Sequence, residues 1–134
     1  IHSNTFDEDF KDGPCCVCGW YSAVIENKPI FAEKMTRAVY RACLWVDQND
    51  ENKYEAVQML ADNYGFNVNP DYAVKLMKLW KFGVSNAQCE MCLENSVDEY
   101  VAAGIIDASA DLEHLKTVAW KAFDLSSVDA EFAS

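Results

Sequence analysis

The sequence predicts a predominantly α-helical chain with one or two short strands. Three observations carry this expectation. Apolar residues recur at steps of three and four from Pro29 to Phe123, which is the period of one helix face. The periodic stretches are bracketed by helix start and stop residues, such as Asn69-Pro70-Asp71 and Gly65. Only one stretch, residues 15–21, reads as a strand, being short and apolar toward both faces.

The elements follow in order. Residues 1–14 form a polar, acidic lead-in with Asp7, Glu8, Asp9 and Asp12, ending at Gly13-Pro14. The strand at 15–21 has no obvious partner, because the remainder of the chain supplies helices. Five helices are expected over 29–123. The first runs from about Pro29, a good first helical residue, to Gln48, with a seam of Phe31, Met35, Ala38, Ala42 and Trp45. The second runs from about Glu51 to Tyr64. Asn49 or Asp50 caps it, Gly65 stops it, and Tyr54, Val57, Leu60, Ala61 and Tyr64 line it.

The third opens at Pro70, buries Tyr72, Leu76 and Leu79, and ends at Gly83. The fourth starts at Ser85, with Gln88 at capping-box spacing, and runs to Ala103 before Gly104. The fifth spans about Ser109 to Phe123, on Leu112, Leu115, Val118, Ala119 and Phe123. The tail, 124–134, is small and polar and is expected to fray. The whole, 1–134, has the length of a single domain.

Composition bounds the function. Hydrophobic residues make up 51% of the 134 residues, enough to fill a core. The net charge of −11 opposes binding to a phosphate backbone or an anionic membrane surface, so nucleic acid is excluded as a partner. No apolar run approaches the roughly 18 residues a membrane span needs, so no membrane insertion is expected. No signal-peptide pattern is visible, and the start at Ile1 rather than Met suggests a cut end.

The chemistry on offer is mostly sulfur. Cys15, Cys16 and Cys18 cluster ahead of Trp20 and Tyr21, while Cys89 and Cys92 stand three apart on the fourth helix. On a strand, Cys16 and Cys18 share one face and Cys15 takes the other. Three readings stay open: small buried hydrophobes, ligands of iron or zinc (among Cys15, Cys16 and Cys18, with Cys16, Cys18, Cys89 and Cys92 able to make a tetrahedral thiolate set), and a disulfide or redox role. Cys43, beside the first helix seam, is expected to be buried and unpaired. Cys16→Ser is expected to perturb the protein more than Cys89→Ser, since a central strand is covered on both faces. Trp20 and Tyr21 follow the strand, where a cleft can form, and are the candidate ligand-binding residues. His2 and His114 lie in no nucleophile pattern, and no Gly-rich phosphate loop is present.

The order of several short stretches resembles a known family. They are Cys15-Cys16-Val17-Cys18 ahead of Glu26-Asn27-Lys28-Pro29, then Thr36-Arg37-Ala38 through Ala42, then Trp45-Val46 and Asn49. Tyr100-Val101-Ala102-Ala103-Gly104-Ile105-Ile106 and Asp111-Leu112-Glu113 follow. Together they resemble the C-terminal part of periplasmic-type substrate-binding proteins of the nitrate, sulfonate, bicarbonate and thiamine-pyrimidine group. The resemblance implies a fragment of an α/β periplasmic-binding-protein fold of type II, the last third to half of a two-lobed protein. It implies the solute-binding component of an ABC import system, not an enzyme, with a small-molecule ligand, a permease partner and no cofactor. It also implies a periplasmic or extracellular location, lipid-anchored in some full-length parents.

One branch of that family, the fungal thiamine-pyrimidine synthases, carries a C-C-C-F-C iron site. Here Pro14 stands for the first cysteine and Val17 for the phenylalanine. The resemblance to that branch implies the alternative of an iron-dependent synthesis protein. A helical protein-interaction domain is the third reading. The unpaired edges of a strand at 15–21 add one expectation for the isolated chain. It should pair with a second copy, or with the rest of its parent.

Overall fold

A computed structural model describes residues 16–133. It is 68% helical, and the described residues contain no strand, so the predominantly α expectation holds. Cys15 and the lead-in lie outside the described residues. Residues 16–21 do not form the expected strand, because among the described residues no second segment offers a ladder of N–H and C=O groups to pair with. The described chain divides into two compact units. One comprises Cys18–Gly83 and the residues from Asp124 on; the other is built on Val84–Phe123.

The first unit begins with a short helix that the sequence reading missed, α1 (Ser22–Asn27), and turns at Lys28 into α2 (Pro29–Gln48). A single residue then makes the corner. Asn49 ends α2 and, through Oδ1, accepts the Asn52 N–H at 2.7 Å to start α3 (Asp50–Tyr64). The last carbonyls of α2 need partners, and the first turn of α3 supplies them. Asn52 Nδ2 donates to Trp45 O at 2.7 Å, and Lys53 Nζ donates to Val46 O at 2.9 Å and Asn49 O at 3.2 Å.

Gly65, at φ 65°, closes α3 by donating to Ala61 O, the bond of an αL cap, while Phe66 N–H reaches Leu60 O. Asn69 then caps α4 (Pro70–Met77) by accepting the Tyr72 N–H. This helix is shorter than its sequence suggests. Leu79 N–H bonds Leu76 O and Trp80 N–H bonds Met77 O, a tightened last turn that leads the chain away.

The face that α2 buries is not the predicted seam. Phe31, Met35, Ala38 and Ala42 are exposed, whereas Ala32 is fully buried and Thr36, Cys43 and Asp47 are partly covered. The covered stripe lies one residue further along, about 100° round the helix. Segments of this unit reach that side. The Trp20 indole donates to Thr36 Oγ1 at 3.2 Å and meets Phe31 edge-on, and the chain after α4 returns to Asp47. On α3 and α4 the buried positions are Lys53, Val57 and Val74, while Tyr54, Leu60, Tyr64, Tyr72 and Leu76 stay exposed.

The tail corrects the expectation of fraying. Residues 126–131 form α7 (Ser126–Glu131), started where Asp124 Oδ1 accepts the N–H and the hydroxyl of Ser126. Leu125 and Val128, three apart, are buried. Both arginines of the chain hold this segment. Arg37 Nε donates to Asp124 O at 2.9 Å, and Arg41 forks onto the Glu131 carboxylate at 2.7 and 2.6 Å. Tyr40 adds its hydroxyl to Asp129 Oδ1 at 2.8 Å.

In the second unit, Ser85 and Gln88 form the expected capping box of α5 (Asn86–Ala102). Gly104, at φ 70°, takes the chain out of it. Asp107 and Ser109 make a tight side-chain turn, and Asp111 caps α6 (Leu112–Ala119) through the His114 N–H. The two helices are tied by Lys116 Nζ on Asp98 Oδ1 at 2.8 Å, which raises the lysine's pKa. Asn86 Nδ2 donates to Phe123 O at 2.8 Å and closes the unit. The fifth helix is shorter than expected, since Trp120 is already extended.

The clasp of α7 on α2 should depend mainly on its apolar plug. Val128→Ala is expected to lower stability by about 2 kcal/mol, from lost transfer energy plus a cavity, measured by urea unfolding. Arg41→Ala should cost much less, because its ion pair is solvent-exposed. The Arg41 hydrogen bond, then its charge, holds the Glu131 carboxyl below its ordinary 4.5. A carboxyl depressed in the folded state contributes stability above its ordinary pKa and loses it as pH falls through the folded value. The protection factors of the α7 amides, corrected for the intrinsic slowing of exchange in acid, should therefore fall below about pH 4.5 before the rest of its unit opens.

Candidate functional site

The C-terminal end of α2, the start of α3 and the chain leaving α4 converge in the Cys18–Gly83 unit. There Asp47, Asp50, Lys53, Lys78, Trp80 and Lys81 line an open depression of about 370 Å³. Asp47 builds it. Its carboxylate accepts the Phe82 N–H at 3.0–3.1 Å and the Gly83 N–H at 2.7 Å, so the strand-less return segment is bound by two charge-assisted bonds. Gly83 is required by close approach. A Cβ there would collide with the Leu44 side chain and lie 3.3 Å from Asp47 Oδ2.

The charges of the depression are largely spoken for. Lys53, only 6% exposed, spends its ammonium on the α2 carbonyls. Lys78 pairs with Asp50. Trp80 sets its ring edge-on to Phe82, with centroids 6.3 Å apart. Lys81 forms no ion pair among the described residues and is exposed. Three ammonium groups against two carboxylates leave a local excess of one positive charge on a chain of net charge −11. Such a place suits a small anion, since local donors and not net charge set a binding site. At the other side of α3, the Tyr54 hydroxyl donates to Asp71 Oδ1 at 2.8 Å, and that bond raises the phenol's pKa.

The residues singled out from sequence lie elsewhere. Trp20 is pinned against α2 by its hydrogen bond to Thr36 and its edge-on ring contact with Phe31, and Tyr21, 85% exposed, precedes α1 at the surface. Neither lines the depression. Cys15 lies outside the described residues; Cys16 and Cys18 are exposed. Among the described residues no three His, Cys, Asp or Glu side chains are grouped as metal ligands. Cys43 is half-buried and unpaired, and burial, then Asp47, then Cys18 push its thiol pKa up. Cys89 is buried at 7% exposure, with its pKa raised by burial and then by Cys92.

The sequence reading missed Asp47, Lys53 and Lys81. The signal for Lys53 was present in Asn49-Asp50-Glu51-Asn52-Lys53, where a cap is followed by two donors within one helical turn. Nothing in the sequence linked Asp47 to Phe82 and Gly83, thirty-five and thirty-six residues away.

Residues 3–61 match the NMT1-like family, a family of nitrate/sulfonate/bicarbonate ABC substrate-binding proteins. The match covers somewhat less than half of the chain. It includes the Cys15–Cys18 cluster, α2 and the Asp47, Asp50 and Lys53 side of the depression, and leaves out Lys78, Trp80 and Lys81. The stretches at 100–113 that carried part of the resemblance also fall outside it. No curated protein and no solved structure matches the chain. No helix among the described residues is long and apolar enough to cross a membrane.

Two outcomes check this geometry. Gly83→Ala should cost about 1–3 kcal/mol in urea unfolding, the usual penalty of forcing a methyl into occupied space. For the thiols, the order expected of a central strand is reversed by the burial seen here. Cys89→Ser should lower the melting temperature clearly, because it puts a hydroxyl in an apolar site, and Cys16→Ser should leave it nearly unchanged.

Proposed function

We propose that this chain is part of the solute-binding component of an ABC import system and acts by binding, not by catalysis. The single observation that carries the reading is the match of residues 3–61 to the NMT1-like family. On this reading the ligand is a small molecule of the nitrate, sulfonate, bicarbonate or thiamine-precursor class. The protein works outside the cytoplasmic membrane, with a lipid anchor in the full-length parent, and hands its cargo to a permease. The depression beside Lys81 is where this chain touches an anionic ligand, and the Trp20–Tyr21 pair is the rival contact.

The exposed apolar stripe of α2 supports a second part of the proposal. Phe31, Met35 and Val39 recur every four residues and are all more than two-fifths exposed. A stripe of that kind is normally covered, so the isolated chain pairs through it with a second copy or with the remainder of its parent.

The test is a thermal-shift and calorimetric titration with nitrate, methanesulfonate, bicarbonate and the aminopyrimidine precursor of thiamine. A ligand at a hundredfold excess over its Kd stabilises by about 2.7 kcal/mol, which is a rise of several degrees. One of the four should give a saturable rise that Lys81→Glu abolishes and Tyr21→Ala leaves intact. Loss in Tyr21→Ala instead would move the contact to the aromatic pair. No saturable shift with any of the four would contradict the reading.

A further inference from the structure

Cys89 and Cys92 stand one turn apart on the same face of α5. The helix itself sets their spacing. Three residues apart, their Cα atoms lie about 5 Å from each other and their Cβ atoms about 5–6 Å. Neither thiol is in a disulfide. Cys89 is 7% exposed and Cys92 is partly covered, so the pair has a dry side and an open side.

The spacing decides which chemistry suits the pair. A disulfide needs Cβ atoms about 3.5–4.5 Å apart, closer than an intact helix holds them. A metal ion needs no such closing, because metal–thiolate bonds of roughly 2.3 Å let one ion bridge sulfurs up to about 4.6 Å apart. The number of ligands then selects the ion. Zinc sites are built from three or four protein ligands, and among the described residues no third His, Cys, Asp or Glu joins the two sulfurs. A soft monovalent cation such as Cu(I) prefers thiolates and is satisfied by two of them in a line. Cys89 is the fourth residue of α5, and no acidic residue stands in the first turn to neutralise the positive end of the helix dipole. That end favours two thiolates, whose charge exceeds the cation's by one.

We propose that Cys89 and Cys92 form a two-coordinate site for a soft monovalent cation of the Cu(I) type. Each thiol gives up its proton to water as its sulfur binds, so two protons leave for each ion taken up and no electron moves. Burial opposes ionisation of Cys89, and uptake therefore strengthens as pH rises. The inference does not rest on the solute-binding reading, since α5 lies outside residues 3–61.

The experiment uses the full chain carrying Cys15→Ser, Cys16→Ser and Cys18→Ser, which removes the competing thiols ahead of α1. Cu(I) alone is titrated without oxygen against a chromogenic chelator, at a mildly acidic and a mildly basic pH. One ion per chain should bind, more tightly at the higher pH, and X-ray absorption should show two sulfur neighbours and no others. Uptake should be lost in Cys89→Ser and in Cys92→Ser and kept in Cys43→Ser. Cys92 is the partly open position, so its variant should retain the helical circular dichroism and show that the loss is not unfolding. No uptake, uptake unchanged in Cys92→Ser, or uptake lost in Cys43→Ser would overturn the proposal. So would a Cys89–Cys92 disulfide formed by oxidised glutathione with the helix content intact, because the helix would then not hold the sulfurs apart.

Discussion

Asp47 sits near the end of α2, and its carboxylate holds the backbone N–H groups of Phe82 and Gly83. Between these points the chain has made α2, a one-residue corner, α3, a glycine-closed turn and α4. The two bonds therefore close a circuit of three helices. Charge-assisted bonds to backbone donors are stronger than neutral ones, and no side-chain entropy is spent on the donor side. The closure matters because the apolar core of this unit is thin. Its buried hydrophobic residues are small or medium in size: Ala32, Val57, Val74, Leu125 and Val128. With no buried aromatic to fill the interior, the ends of the helices, and not their flanks, fix the arrangement. Lys53 and Asn52 serve the same end of α2 from the other side, and Asp47 and Lys53 both line the depression at Lys81.

A second consequence concerns what α2 shows to solvent. Its helical pattern offers two stripes, one richly apolar through Phe31 and Met35 and one mixed through Ala32, Thr36, Cys43 and Asp47. The chain covers the mixed stripe, because the groups that reach it bring specific bonds: the Trp20 indole and the Phe82 and Gly83 amides. The apolar stripe is left open, and its cost in exposed hydrocarbon is real. A partner that covers Phe31, Met35 and Val39 would gain that energy. This links the proposed solute-binding role, in which the chain is one part of a larger body, to a physical feature of the helix.

Much of the secondary structure was legible in the sequence, because its signals are local. Pro29, Asn49, Gly65, Asn69-Pro70 and the Ser85–Gln88 box each set a helix end within four residues of themselves, and the structure places those ends where the residues say. What was not legible depends on distant partners. The seam of α2 was misassigned because hydrophobicity alone ranks Phe31 over Ala32. The tail looked frayed because Leu125 and Val128 form too short a pattern to register, and the arginines that hold Asp124 and Glu131 are 87 and 90 residues away. The thiol cluster suggested a strand by composition, yet a strand needs a second strand. Trp20 and Tyr21 were conspicuous as aromatics but lie away from the depression, which is built by Asp47 through backbone groups that carry no sequence signature.

The central claim is that Asp47 closes the helical circuit, and native-state hydrogen exchange tests it most directly. The Phe82 and Gly83 amides should be protected in the wild-type chain and should exchange at near-unprotected rates in Asp47→Ala, while amides in the middle of α2 stay protected. Equal exchange of the two amides in both proteins would contradict the account, because it would show that the return of the chain to α2 does not depend on that carboxylate.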